Sequence, residues 1–304
     1  MDGLLVIDKP AGPTSHDMVD LVRLLAGLRR VGHTGTLDPA ATGVLPICVG
    51  RATRLSRFLT GSRKAYDAVI VLGIQTDTDD ASGRPIRQRD ASAVSETRIR
   101  DAARAFLGVT SQVPPPFSAR RVGGRRLHEL ARAGETVLAP ASPVTVHRLE
   151  ITNIARSLVH MTVEVSAGTY IRSLARDLGE ALGCGAHLGA LRRTAAGAIG
   201  LTFAHDVETL QDHAARGALA ELVVPLDRME LGLSTAIASP EGAEAMQRGR
   251  RLAAALVRRW PDPPAEPGAA VRVVDPAGRL LGVATAAHDE AGEGLLPTVV
   301  LEAR

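Results

Sequence analysis

Residues 31–46 read VGHTGTLDPAATGVLP, with a single carboxylate, Asp38, near their centre. Gly32, Gly35 and Gly43 permit backbone torsions closed to other residues and let a ligand come close. Pro39 fixes the chain just after the acid and pushes Asp38 itself toward extended geometry. Asp-Pro is a common turn dipeptide. A carboxylate held this rigidly is also suited to act as a nucleophile or base. The neighbouring Thr-Gly-Thr run raises a third reading, a phosphoaspartyl enzyme. That chemistry needs Mg²⁺ and further carboxylates, which Asp77, Asp79 and Asp80 of TDTDDASG offer unless they only form a solvated turn. His33 has no third ligand at a metal-binding spacing, so it suits stacking or hydrogen bonding to a ligand instead.

Outward from this loop the chain reads as strands interspersed with helices. GLLVIDKPAG predicts a buried strand, Leu4 to Ile7, ending in a turn. TSHDMVDLVRLLAG predicts a helix capped by Thr14 or Ser15, with Met18, Leu21, Val22 and Leu25 on one face and Gly27 at its end. GVLPICVG reads as a strand, RATRLSRFLTGS as a basic helix and Tyr66 to Leu72 as another strand. Residues 95–107 form a helix with a Ser cap and Gly108 as its stop. A loop with a dense arginine block, a hairpin and a helix from Ile171 to Leu182 follow. Strands and helices that do not strictly alternate argue for an α+β fold with a mostly antiparallel sheet flanked by helices. Composition shifts near residue 232, and WPDPPAEPG at 260–268 reads as a connector. The reading is a domain over 1–232 and a small β-rich domain over 233–304, with a helix at 240–249 and a strand turn at Pro276–Gly278.

The composition narrows the function classes. At 304 residues, with 45% apolar and 23% charged residues, the chain has the make-up of a soluble globular protein. No apolar run is long enough to span a membrane, and the N-terminus lacks the basic and apolar regions of a signal peptide. Cys48 and Cys184 form neither a metal spacing nor a disulfide framework, so a cytoplasmic protein with reduced thiols is expected. Net charge is +3, and arginine supplies nearly all of the cations, Lys9 and Lys64 being the only lysines. The arginines cluster at 120–121, 125–126, 192–193, 248–251 and 258–259. Such runs usually form a solvated face, but separate patches in a nearly balanced protein suit a phosphate backbone. Tyr66 and Tyr170 are the only tyrosines. Tyr170 and Arg172 lie in AGTYIRSLARDLG, at a strand-to-helix junction whose free amides suit anions.

Taken together, GLLVIDKPAGPTS, GHTGTLDPAATGVLPICVGRATR, KAYDAVIVLGIQTDTDDASG, SARRVGGRRLHELARAG and GTYIRSLARDLGEALGCGAHLGALRR follow one another as in the TruB-type tRNA pseudouridine-55 synthases. The resemblance spans nearly the whole chain and is most specific around Asp38. It implies a pseudouridine-synthase catalytic fold and a C-terminal PUA-like RNA-binding domain. It also implies isomerisation of a uridine in the tRNA T-loop, by base flipping and without metal or cofactor. By resemblance Asp38 matches the catalytic aspartate, Arg172 its basic partner and Tyr66 the tyrosine that stacks on the target base. His33 matches the histidine that packs against the RNA loop, and Tyr170 and Leu191 match further pocket positions. Lys64, Arg121, Arg126, Arg192 and Arg193 are the expected RNA-contacting cations. His128 stands where tyrosine is expected, and Arg121 and Arg126 where lysine is commoner. The expected partner is tRNA, with no membrane, no obligatory protein partner and a monomeric state. An RNA-binding scaffold without catalysis is the alternative.

Overall fold

The computed structural model describes residues 1–118, 120–133, 139–290 and 292–301. Strand Gly3–Lys9 pairs antiparallel with Thr42–Val49 along its whole length, from Gly3 opposite Val49 to Lys9 opposite Gly43. Both are nearly continuous apolar runs because both of their faces are covered. Leu5, Ile7, Leu45 and Ile47 enter one core with helix residues Met18, Val22 and Leu174. Their alternates Leu4, Val6, Val44 and Cys48 enter a second core with Leu280, Val283 and Val299. The period of two along a strand thus feeds two cores from one run of sequence.

These strands lie in a ten-stranded sheet. Its main path runs Val224–Pro225, Gly3–Lys9, Thr42–Val49, Ala186–Ala196, Lys64–Leu72, Leu158–Val165, Ser142–Ala155 and Gly108–Gln112. Every pairing in it is antiparallel except the short parallel contact of Arg192–Arg193 with Thr42–Gly43. A six-stranded sheet spans Ser234 to Val300 and contacts the first through the second core. Asp227 also bridges them, accepting from the Leu280 amide at 2.6 Å and, through its carbonyl, from Arg272. The mostly antiparallel α+β architecture with a C-terminal β-rich unit matches the sequence reading.

The helix Ser15–Ala26 forms as its signals dictate. Thr14 caps it in a reciprocal box with Asp17, and Gly27 closes it at φ 63°. Because Thr14 takes the cap, Ser15 is free to bond elsewhere. The segment 50–60 departs from the expected helix: a 3₁₀ segment, Gly50–Leu55, precedes a short α-helix, Ser56–Thr60. Thr53 and Ser56 hydroxyls bond back to the Gly50 and Thr53 carbonyls, and such local bonds compete with regular helix. The helix expected over 95–107 spans Glu96–Arg104 with Ser95 as its cap, and Gly108 opens the next strand. Arg121 and Arg126 pair in a short ribbon, Arg121–Val122 with Arg125–Arg126. Their side chains, and that of His128, lie outside the described residues.

Candidate active site

The Asp38 loop fills a gap on one side of strand Thr42–Val49. Val31–His33 pairs with residues 47–49 of that strand, and Arg192–Arg193 with residues 42–43. Between these partners the loop leaves the sheet and returns. Anchors on every side hold it. The Leu37 amide donates to the Ser15 hydroxyl at 2.8 Å, and that hydroxyl donates to the Leu37 carbonyl at 3.0 Å. The Pro39 carbonyl accepts from the Gly12 amide at 2.9 Å and from the Lys9 ammonium at 3.1 Å. Lys9 is wholly buried, and its other two bonds go to the carbonyls of Pro10 and Pro13. Leu37 and Ala41 pack into the core on either side of the acid.

Arg172 is two residues into helix Ile171–Leu182, whose start is fixed by Gln112. The Gln112 side chain accepts from the Tyr170 amide at 2.8 Å and donates to its carbonyl at 3.1 Å. From there the guanidinium reaches Asp38, with Nε 3.0 Å from Oδ2 and Nη2 donating to Oδ1 at 3.3 Å. This is the two-pronged geometry that guanidinium and carboxylate share. The remaining donors go to the Thr78 carbonyl at 3.2 Å and the Phe117 carbonyl at 2.9 Å, with Asp80 at 3.6 Å. The Asp38 carboxyl is held above the ordinary carboxylate pKa. Desolvation is the main cause; Asp80's charge adds to it, and Arg172 opposes it. Its side chain is 41% exposed and lines an open cleft.

Asp38, Tyr66, Arg172, His33, Tyr170 and Leu191 all line one cleft of about 700 Å³. Tyr66 is buried on the inward face of strand Lys64–Leu72, and desolvation raises its phenol pKa against the pull of Arg193. His33 has a buried Nδ1 with no hydrogen-bond partner. Burial and the Arg193 charge lower its pKa, so the ring is neutral at pH 7.

Three of the cations expected to contact RNA bond to the protein itself; Lys64 and Arg193 still line the cleft, and Arg192 does not. Lys64 is 8% exposed on the same inward face as Tyr66, and its ammonium bonds the Thr60 and Ser62 carbonyls. Burial, helped by the Arg193 charge, pushes its pKa down to about 8. Arg193 is 1% exposed and donates to the carbonyls of Val44, Gly35 and Thr36. Arg192 projects to the other face of the sheet, where it meets Asp8 in a two-pronged pair at 2.7 and 3.0 Å. Successive strand residues point to opposite faces, so one arginine of the pair becomes core and the other turns from the cleft.

The three acids raised as Mg²⁺ ligands separate. Asp79 pairs with Arg176 at 2.9 Å, Asp77 accepts from the Arg84 amide, and Asp80 holds Thr78 and Ser82 beside Arg172. Among the described residues no group of three metal-ligating side chains is arranged to hold an ion. Asp80 therefore joins the site as a partner of Arg172, a role that the sequence reading missed. Lys9, Ser15, Gln112 and Phe117 were missed as well. The rarity of lysine in this chain was the one signal that could have drawn attention to Lys9.

The TruB family pseudouridylate synthase N-terminal domain matches residues 23–171, and the tRNA pseudouridylate synthase B C-terminal domain matches residues 172–229. The chain belongs to the TruB family of pseudouridylate synthases. The first match holds Asp38 and Tyr66 and the second begins at Arg172, so the site draws on both. Among curated relatives, tRNA pseudouridine synthase B of Alkaliphilus oremlandii is 42% identical over 83% of each chain. That of Thermobifida fusca is 48% identical over 76% of this chain and 83% of its own. That of Xanthomonas campestris is 50% identical, but the match spans only 64% of this chain and 63% of the relative. Among solved structures, a chain of a Cbf5–Nop10–Gar1 complex superposes with a TM-score of 0.79 at 27% identity, covering 99% of this chain and 85% of that one. A chain of an H/ACA RNP bound to a substrate RNA containing 2′-deoxyuridine gives 0.78 at 25% identity, with 99% and 86% covered. No helix among the described residues is long and apolar enough to cross a membrane.

Proposed function

We propose that the chain converts uridine 55 in the T-loop of tRNA to pseudouridine, with Asp38 as the reacting carboxylate. The observation that carries this is the Asp38–Arg172 fork set in a cleft that Tyr66 also lines. The names of the curated relatives support tRNA as substrate.

The reaction exchanges the N1–C1′ bond of uridine for a C5–C1′ bond. The nucleotide has to be turned out of the folded loop first, which costs a few kcal/mol. Stacking of the base on Tyr66 offsets roughly 1–3 kcal/mol of this. Arg172 favours the ionised form of Asp38 against desolvation and aims it. A single carboxylate is enough, whereas hydrolytic glycosidases usually employ two. The cleft must exclude water while the base is detached, or hydrolysis competes. Tyr170 and Leu191 then serve as further walls, and His33 packs against the RNA loop that the base has left. Residues 1–232 form the catalytic domain and residues 233–304 a PUA-like RNA-binding domain. The enzyme works in the cytoplasm as a monomer on tRNA, without metal, cofactor or protein partner.

The test is a T-loop transcript carrying tritium at C5 of its uridines, since forming the C5–C1′ bond expels that atom. The expected result is release of one tritium per RNA and a carbodiimide-retaining base at position 55. Tight binding with no release would instead mark an RNA-binding scaffold.

A further inference from the structure

Arg193 lines the cleft, yet its guanidinium donates to carbonyls of the protein. Its guanidinium is almost fully buried, and among the described residues no carboxylate comes within ion-pair distance of it. Desolvating such a cation costs several kcal/mol, and an apolar side chain would fill the same space at lower cost. Its partners show where the charge is directed. Nε donates to the Val44 carbonyl at 2.6 Å, Nη2 to Gly35 at 3.1 Å and Nη1 to Thr36 at 3.4 Å. Gly35 and Thr36 precede Asp38 and Val44 follows it, so one side chain ties both arms of the loop. Gly43 leaves its backbone room, since a Cβ there would lie 2.2 Å from the Arg193 carbonyl oxygen. Arg193 and Tyr66 are register partners on adjacent strands, so their side chains stand side by side on one face, and the guanidinium charge acts on the phenol.

We propose that Arg193 is a positioning residue of the isomerisation, a buried cation that holds both arms of the Asp38 loop in place beside the Tyr66 phenol. This rests on the reading of the cleft as a uridine-isomerising site. A planar fork presents its N–H donors in fixed directions to carbonyls on both arms of the loop, which the point charge of an ammonium does not. With the tie in place, the stacking ring and the carboxylate keep one separation, and the flipped base finds both already set.

The test compares Arg193→Lys and Arg193→Gln in the full chain and in a Tyr66→Phe background. Arg193→Lys should lower kcat by roughly tenfold while the tRNA Kd stays within about threefold, and the same change should cost under about threefold in Tyr66→Phe, because coupled residues are not additive. Tyr66 is the sole tyrosine of a Tyr170→Phe variant, so its ultraviolet titration is read directly. Arg193→Gln should move that titration to higher pH. Equal kcat losses in both backgrounds, a loss confined to Kd, or an unmoved titration would overturn the proposal. So would unfolding of both variants, which would make Arg193 a residue of the fold alone. The titration needs no RNA, so it reports on the tie even if the wild-type chain releases no tritium from the transcript, a result that would instead sink the proposed function.

Discussion

The Arg172 side chain is 6% exposed and the Asp38 side chain it grips at 3.0 Å is 41% exposed. The cation is sunk into the protein and the acid faces the cleft. Arg172 cannot leave without abandoning two backbone carbonyls as well, whereas one side of the carboxylate remains open to a substrate. Each of the first two predictions rests on this asymmetry.

Asp38→Asn should abolish turnover and leave tRNA affinity within a few-fold, because the amide keeps the shape but not the reacting oxygen or the charge. Tritium release and a filter-binding titration measure the two quantities. Near wild-type turnover would remove Asp38 from the reaction. Arg172→Lys should lower kcat far more than affinity, since one ammonium cannot reproduce the fork. Equal losses would argue for phosphate binding.

Activity should have an acid limb set by Asp38. In the proposed reaction the ionised carboxylate reacts, so activity should be present above its pKa and lost as pH falls through it. Desolvation raises that pKa, which moves the limb upward from where an ordinary Asp would set it. Asp80 raises it further by like charge, so Asp80→Asn should shift the limb to lower pH. A pH profile of kcat checks the direction, and an upward shift would contradict the arrangement.

Gly43→Ala should destabilise the fold. Gly43 sits at φ 100°, and a Cβ there would lie 2.2 Å from the Arg193 carbonyl oxygen. Backbone strain of this kind costs about 1–3 kcal/mol, and the steric overlap adds to it. Urea unfolding measures the loss. An unchanged midpoint would mean that the loop relaxes freely.

Binding to tRNA should weaken steeply with salt, because exposed arginines displace counterions. Arg250, Arg258 and Arg259 are exposed on the C-terminal unit, whereas Arg251 is held by Asp289. Replacing Arg258 or Arg259 with Ala should reduce the slope of log K against log salt by about one each if both touch phosphate. A slope that no substitution changes would exclude this face from the interface.

Much of the site was legible in the sequence because its signals are local. The Thr14 cap, Gly27, the apolar period between them and the helix start at Ile171 all act over a few residues, and the structure reproduces each. The glycines and Pro39 around Asp38 announced a constrained loop for the same reason. The partners of the charged residues were not legible. Lys64, Arg192 and Arg193, expected on RNA, each bond to the protein itself, with Lys64 and Arg193 also lining the cleft. Asp80 was weighed as a metal ligand and stands beside Arg172 instead.

The sequence by itself determined the elements, the mostly antiparallel sheet and the identity of the isolated acid. Only the tertiary structure decided which cations face the cleft and which are buried beneath it. Asp38 and Arg172 are 134 positions apart, and Arg193 is 158 positions from the carbonyl of Gly35 that it holds. A strand's alternation dictates that Arg192 and Arg193 point opposite ways, but which way is inward depends on what the rest of the chain packs against each face.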